Sequence, residues 1–303
     1  MSKPVSVLPE QERDRVSLTE HVMMTRRQFI GRTALAAGGL TLAPTLRSNA
    51  APLGLPIGFQ SWTVREVLAK DFAGTLRQIA GLGYQTVEMC SPPGYISSGF
   101  GPLAAMKAPE MRRIIESAGL KCESCHYSFQ ELKENLADRI GFAQELGLKQ
   151  MITSGFWLKS SARLADWLRA CDELNKIGER TKKEGLQLGF HNHHFEFEKL
   201  DGTLIYEAIL GRLDPELIKM QFQVAVVNVG YEAATYFTKY PGRFISIHLS
   251  DWSSAEKKSV PIGQGIVDWK KLFAAAKIGG VKNYFVEMDF ATFKPSADYL
   301  SQM

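Results

Sequence analysis

From Pro56 onward, short apolar runs alternate with amphipathic stretches, and glycines punctuate the pairs. Apolar runs of about four to eight residues bounded by turn signals predict buried strands, and apolar positions recurring at helical spacing predict helices. Strands are expected over 57–62, 86–90, 121–127, 150–154, 186–190, 218–226, 244–249 and 284–289. Helices are expected over 71–82, 109–118, 129–146, 164–184, 204–210, 232–240, 268–277 and 294–300. Gly83, Gly119, Gly147 and Gly185 stand where helices should stop. The Gly/Ser-rich stretch 91–105 reads as a loop that could cover a site. Strict strand–helix alternation over about 250 residues predicts a single α/β domain, a (β/α)8 TIM barrel. A doubly wound open sheet is the alternative, but no G-x-G-x-x-G follows the first strand.

The first fifty residues do not share this pattern. Thr25-Arg26-Arg27-Gln28-Phe29-Ile30 carries a twin-arginine signal, and an apolar, Ala/Gly-rich segment follows it. Ser48-Asn49-Ala50 supplies small residues for cleavage near Ala50. Residues 1–50 are therefore expected to be a removable leader, 51–303 the barrel, and the destination the periplasm or the medium. Removing the leader changes the charge. The chain has 36 Lys and Arg against 32 Asp and Glu; the leader holds seven and four, leaving 29 against 28. A neutral mature chain without basic runs excludes a nucleic-acid partner, and contact with a membrane is expected only during export.

Candidate chemistry gathers at strand ends, where barrels of this kind place their working residues. Glu88 lies on strand two and His126 near the end of strand three. The fifth strand runs into His191-Asn192-His193-His194, where alternation puts His191 and His193 on one face. Gln221 and Gln223 share a face of strand six, His248 ends strand seven, and Glu287 and Asp289 end strand eight. Imidazoles and carboxylates converging from several strands suit a divalent metal such as Mn, Zn or Co, or the oxygens of a polyol substrate. Trp62, Phe156, Trp157 and Trp252 fall near the same mouth and could stack on a sugar ring. The four cysteines include a Cys122-Glu123-Ser124-Cys125 spacing, but residues three apart on a strand face opposite ways, so buried thiols are expected rather than a redox pair.

With these residues in place, the chain resembles the xylose isomerase-like TIM-barrel superfamily of sugar isomerases and epimerases. The resemblance runs through Gly83–Glu88, His191–Phe197, Lys239–His248 and Val281–Asp289. It implies a metal held by an acid on strand five, an Asp on strand six, a His on strand seven and a Glu on strand eight. His248 and Glu287 match the last two; strand five offers His191 or His193, and strand six offers Gln223 in place of the acid. The implied metal set is His191, Gln223, His248 and Glu287. Catalytic roles fall to Glu287, His193 and Glu88, and substrate contacts to His126, Trp62, Gln221 and Trp252. The altered ligands and the neutral charge argue against the endonuclease branch of the superfamily. The expected function is that of an isomerase or epimerase removing a proton beside the carbonyl of an unphosphorylated sugar or keto-sugar. A lyase or hydrolase of 3-keto-glycosides and a non-catalytic carbohydrate-binding barrel are the alternatives.

Overall fold

In the computed structural model, residues 51–303 are described; the expected leader and its twin-arginine signal lie outside them. Eight parallel strands close into a barrel: β1 (Gly58–Gln60), β2 (Thr86–Cys90), β3 (Lys121–Tyr127), β4 (Gln150–Thr153), β5 (Gln187–His191), β6 (Ile218–Gln223), β7 (Phe244–Leu249) and β8 (Asn283–Val286). Each strand pairs with its sequence neighbours, and β1 closes the ring against β8. The outer ring is α1 (Arg65–Lys70), α2 (Phe72–Gly81), α3 (Ala108–Ser117), α4 (Phe129–Leu146), α5 (Leu164–Lys183), α6 (Ile205–Arg212), α7 (Ala233–Lys239), α8 (Trp269–Gly279) and α9 (Phe293–Leu300).

Local signals explain the boundaries. Ser128 accepts a hydrogen bond from Glu131 N to open α4, and Gly147 closes it in the left-handed conformation. Asp71 accepts from Gly74 N, which splits the first helical stretch into α1 and α2. β6 stops three residues earlier than its apolar run because the Gln223 side chain caps the 3-10 turn Val224–Val229. β8 also ends early, and Glu287 follows it on irregular backbone anchored by its N–H to Leu249 O. Two short hairpins were not legible: Lys199–Leu200 with Thr203–Leu204, and Asp251–Ser253 with Lys258–Val260.

The apolar core lies between barrel and helices, where the outward residues of each strand are buried (Val87, Met89, Tyr127, Leu188, Phe190, Phe222, Leu249). Phe156 belongs to this layer, packed on Phe129 and Phe190. The cysteines are free thiols, with Cys125 buried and Cys122 half-buried. No described helix is long and apolar enough to cross a membrane.

Candidate active site

The barrel interior is polar near its C-terminal end, and one carboxylate organises it. Glu88, fully buried on β2, accepts from Ser124 Oγ (2.5 Å) and Gln221 Nε2 (2.8 Å) at Oε1. Its Oε2 accepts from His248 Nε2 (2.5 Å) and Gln60 Nε2 (3.3 Å), with His126 Nε2 3.2 Å away. Gln221 ties the layer further: its Oε1 accepts from His126 Nε2 at 2.6 Å and its Nε2 also donates to Ser246 Oγ at 3.0 Å. Five of the eight strands thus contribute to one connected network.

His248 sits between two carboxylates, with Nε2 on Glu88 and Nδ1 2.9 Å from Glu287 Oε2. Carboxylates only accept, so both ring nitrogens carry protons when both bonds form. Burial alone would lower the His248 pKa; the charges of Glu287 and Glu88 outweigh it and raise it to about 9. Burial likewise pushes the Glu88 carboxyl up, but His126 and His248 hold it well below the usual range. Glu287 is lowered in the same way, with His248 outweighing burial.

Above this layer opens a cavity of about 390 Å³. Its lining brings His126, His191, His193 and Glu287 together with the aromatic side chains of Trp62, Tyr95 and Trp157. Burial holds His193 down to about 4, and burial plus the surrounding imidazoles keeps His191 well below its ordinary value. Trp157 is 61% exposed, holds a positive φ of 51°, and places its ring 4.7 Å from that of His193. Its Nε1 donates to Ser154 O at 2.5 Å, while Ser154 Oγ bonds the Tyr95 hydroxyl, linking the covering segment Pro92–Ser98 to the end of β4.

The loop after β7 is gathered on a second buried carboxylate. Asp251 accepts from the backbone N–H of Trp252, Gly263, Gly265 and Val267 and from Trp269 Nε1, at 2.9 to 3.2 Å. A Cβ at residue 265 would fall 2.1 Å from Asp251 Oδ1, which explains the glycine there.

His126, His191 and His248 bring ligating atoms within 4.8 Å of one another, all three buried. Their surroundings fit a metal ion. Among the described residues His191 Nδ1 is buried without a hydrogen-bond partner. To ligate, His248 would give up one ring proton and the carboxylate hydrogen bond it makes, and the negative charge of Glu88 and Glu287 would then be left for the metal to balance. A donor set rich in imidazole suits Zn or Co better than Mg or Ca.

Several expectations need correction. Gln223 is poorly placed as a ligand: its amide N–H2 donates to Glu287 Oε2 at 2.5 Å, and its oxygen accepts from Ala225 N at 3.2 Å. The only atom able to ligate is therefore spent on backbone. Glu88 and Gln221 are fully buried in the layer beneath the cavity, where they position imidazoles rather than meet a substrate. Trp252 lies half-buried in the hairpin held by Asp251 and is not part of the cavity wall. Asp289 and Lys257 are exposed, and Lys258 pairs with Glu256. His126 joins the histidine group instead of standing apart as a substrate contact. His193 lies just beyond β5 yet reaches the same cavity as His191, while His194 is exposed. Tyr95 was missed because the covering loop carries no periodicity to aim a side chain, and Ser154 because a small polar residue at a strand end gives no signal of its own.

Residues 76–299 match the family model described as xylose isomerase-like TIM barrel. The chain belongs to this family. It is 24% identical over 259 residues to an inosose dehydratase of Geobacillus thermodenitrificans, covering 70% of this chain and 86% of that protein. A sugar phosphate isomerase/epimerase structure from Parabacteroides distasonis superposes with a TM-score of 0.68 at 24% identity, over 82% of this chain and 98% of the other. A xylose isomerase-like TIM barrel protein from Mycobacterium smegmatis, in complex with magnesium, gives a TM-score of 0.62 at 17% identity, over 82% and 96%.

Proposed function

We propose that this barrel is an enzyme that removes a proton from the carbon beside the carbonyl of a sugar or keto-sugar, assisted by a divalent metal. The observation that carries the reading is the convergence of three buried imidazoles, His126, His191 and His248, two of which line one cavity together with His193 and the Glu287 carboxylate. His126, His191 and His248 would hold the metal, which when bound supplies Lewis-acid polarisation of the substrate carbonyl. The protein's own groups do the rest. Glu287 is kept ionised by His248, and both its hydrogen bonds use Oε2, leaving Oε1 free among the described residues to accept a proton. His193 is neutral near pH 7 and lines the same cavity as Glu287, where it would hold or return a proton. Trp62 and Tyr95, packed edge to face, add an apolar part to the lining.

Proton removal beside a carbonyl leads either to epimerisation or to loss of a group one carbon further on. The aromatic lining favours the second as an alternative, because it offers an apolar seat for a leaving group of a 3-keto-glycoside. The dehydratase relative supports elimination and the isomerase/epimerase neighbour supports epimerisation. The test is incubation of metal-loaded protein with keto-sugars and 3-keto-glycosides in D2O. Deuterium at the carbon beside the carbonyl is expected, and product masses separate an epimer from a cleaved or dehydrated product. Absence of exchange, epimer and cleavage with Zn, Co or Mn would leave only the carbohydrate-binding reading. The motif around Arg26 and Arg27 supports export through the twin-arginine route. Replacing both by Lys should strand the protein inside the cell, as fractionation would show.

A further inference from the structure

Behind His193 lies a second buried carboxyl with no part in the network around Glu88. Glu196 is fully buried on the turn Phe195–Phe197, and its Oε2 accepts from the His193 backbone N–H at 2.7 Å. Its other oxygen, Oε1, has no partner among the described residues, and neither has His193 Nδ1. Both atoms face the same spot. A Cβ placed on Gly155 would lie 3.2 Å from His193 Nδ1 and 3.4 Å from Glu196 Oε1. Two buried polar atoms without partners are costly, and here both border the same gap. Gly155 leaves that gap open, and its φ of 81° itself calls for glycine.

We propose that Glu196 is a positioning residue for His193: its Oε2 holds the backbone, and its Oε1 hydrogen-bonds Nδ1, directly or through one water. This bond fixes the ring so that its Nε2 edge faces the cavity, with Nδ1 sealed behind. The same logic orients histidines elsewhere, where the bond at one ring nitrogen sets what the other can do. The proposal rests on the reading of the cavity as catalytic only for its kinetic consequence, not for the hydrogen bond itself.

The experiment is imidazole 15N NMR on the full chain labelled at histidine, with His193 assigned through His193→Gln. Glu196→Ala is expected to shift both His193 ring resonances, and Glu196→Gln to retain most of the wild-type pattern because its amide can still bond Nδ1. In turnover, Glu196→Ala should lose roughly 10- to 100-fold, mostly in kcat rather than KM, with partial rescue in Glu196→Gln. Unchanged His193 resonances in a folded Glu196→Ala protein would overturn the proposal. If the alanine variant does not fold, a Glu196→Gln spectrum in which His193 loses its hydrogen-bonded signature, or a Glu196→Leu protein that keeps it, does the same. A wild type without turnover but with Glu196-dependent His193 shifts would refute the enzymatic reading and leave this bond standing.

Discussion

Two fully buried carboxylates of this barrel behave in opposite ways. Glu88 and Glu196 are both at 0% exposure, yet one is held ionised and the other is pushed by burial up to about 8. The difference is partnership. Glu88 receives hydrogen bonds from Ser124, Gln221, Gln60 and His248, whereas Glu196 receives the His193 backbone N–H and leaves Oε1 without a partner. Burial sets the cost of a charge; the number and sign of neighbours decide whether it is carried. The barrel thus keeps a charged layer under the cavity and a neutral acid beside it.

Removing Glu88 is the strongest way to break this contrast. Glu88→Ala strands His248, Gln221 and Ser124 in the interior, and a loss of about 3–5 kcal/mol is expected by denaturant titration. A loss near zero would mean that the network is replaceable. Next in size, Glu287→Gln should lower turnover by roughly 10²-fold or more while the fold persists, read by steady-state kinetics alongside circular dichroism. Glu196 gives a gentler and more diagnostic effect. Its folded pKa lies above the ordinary 4.5, so its contribution to stability is complete below about 4.5 and is lost as pH rises through about 8. Glu196→Gln should flatten that part of the stability profile; an unaltered slope between those values would show that Glu196 is not the neutral acid described. The smallest effect is expected from Trp157→Gly, which relieves a positive φ but removes the exposed ring beside His193. Stability should change by less than about 1 kcal/mol, with the loss appearing in KM.

Much of this was legible beforehand. The closed barrel and most strand limits follow from alternation, because apolar runs in a parallel sheet are buried on both faces and stand out against amphipathic helices. The convergence of His126, His191, His193, His248 and Glu287 followed from strand-end positions alone. What failed was the depth and orientation of side chains. Glu88 looks like a mouth residue in sequence, but sits one layer too deep. Gln223 occupies the position of a ligand, and only the carboxylate opposite it reveals that its N–H2 faces inward. Trp252 misses the cavity and Tyr95 enters it because segments outside the barrel strands aim them. Glu196 stood in the same short motif as the histidines, yet its free oxygen faces a gap at Gly155 some forty residues away.

The loop after β7 has a consequence for how the rim opens. Four of its backbone amides end on the single carboxylate of Asp251, along with the indole of Trp269 at the start of α8. Those amides cannot come free one at a time without leaving a buried charge short of donors. In hydrogen–deuterium exchange, Trp252, Gly263, Gly265 and Val267 should therefore exchange as one group, marking this stretch as a single opening unit.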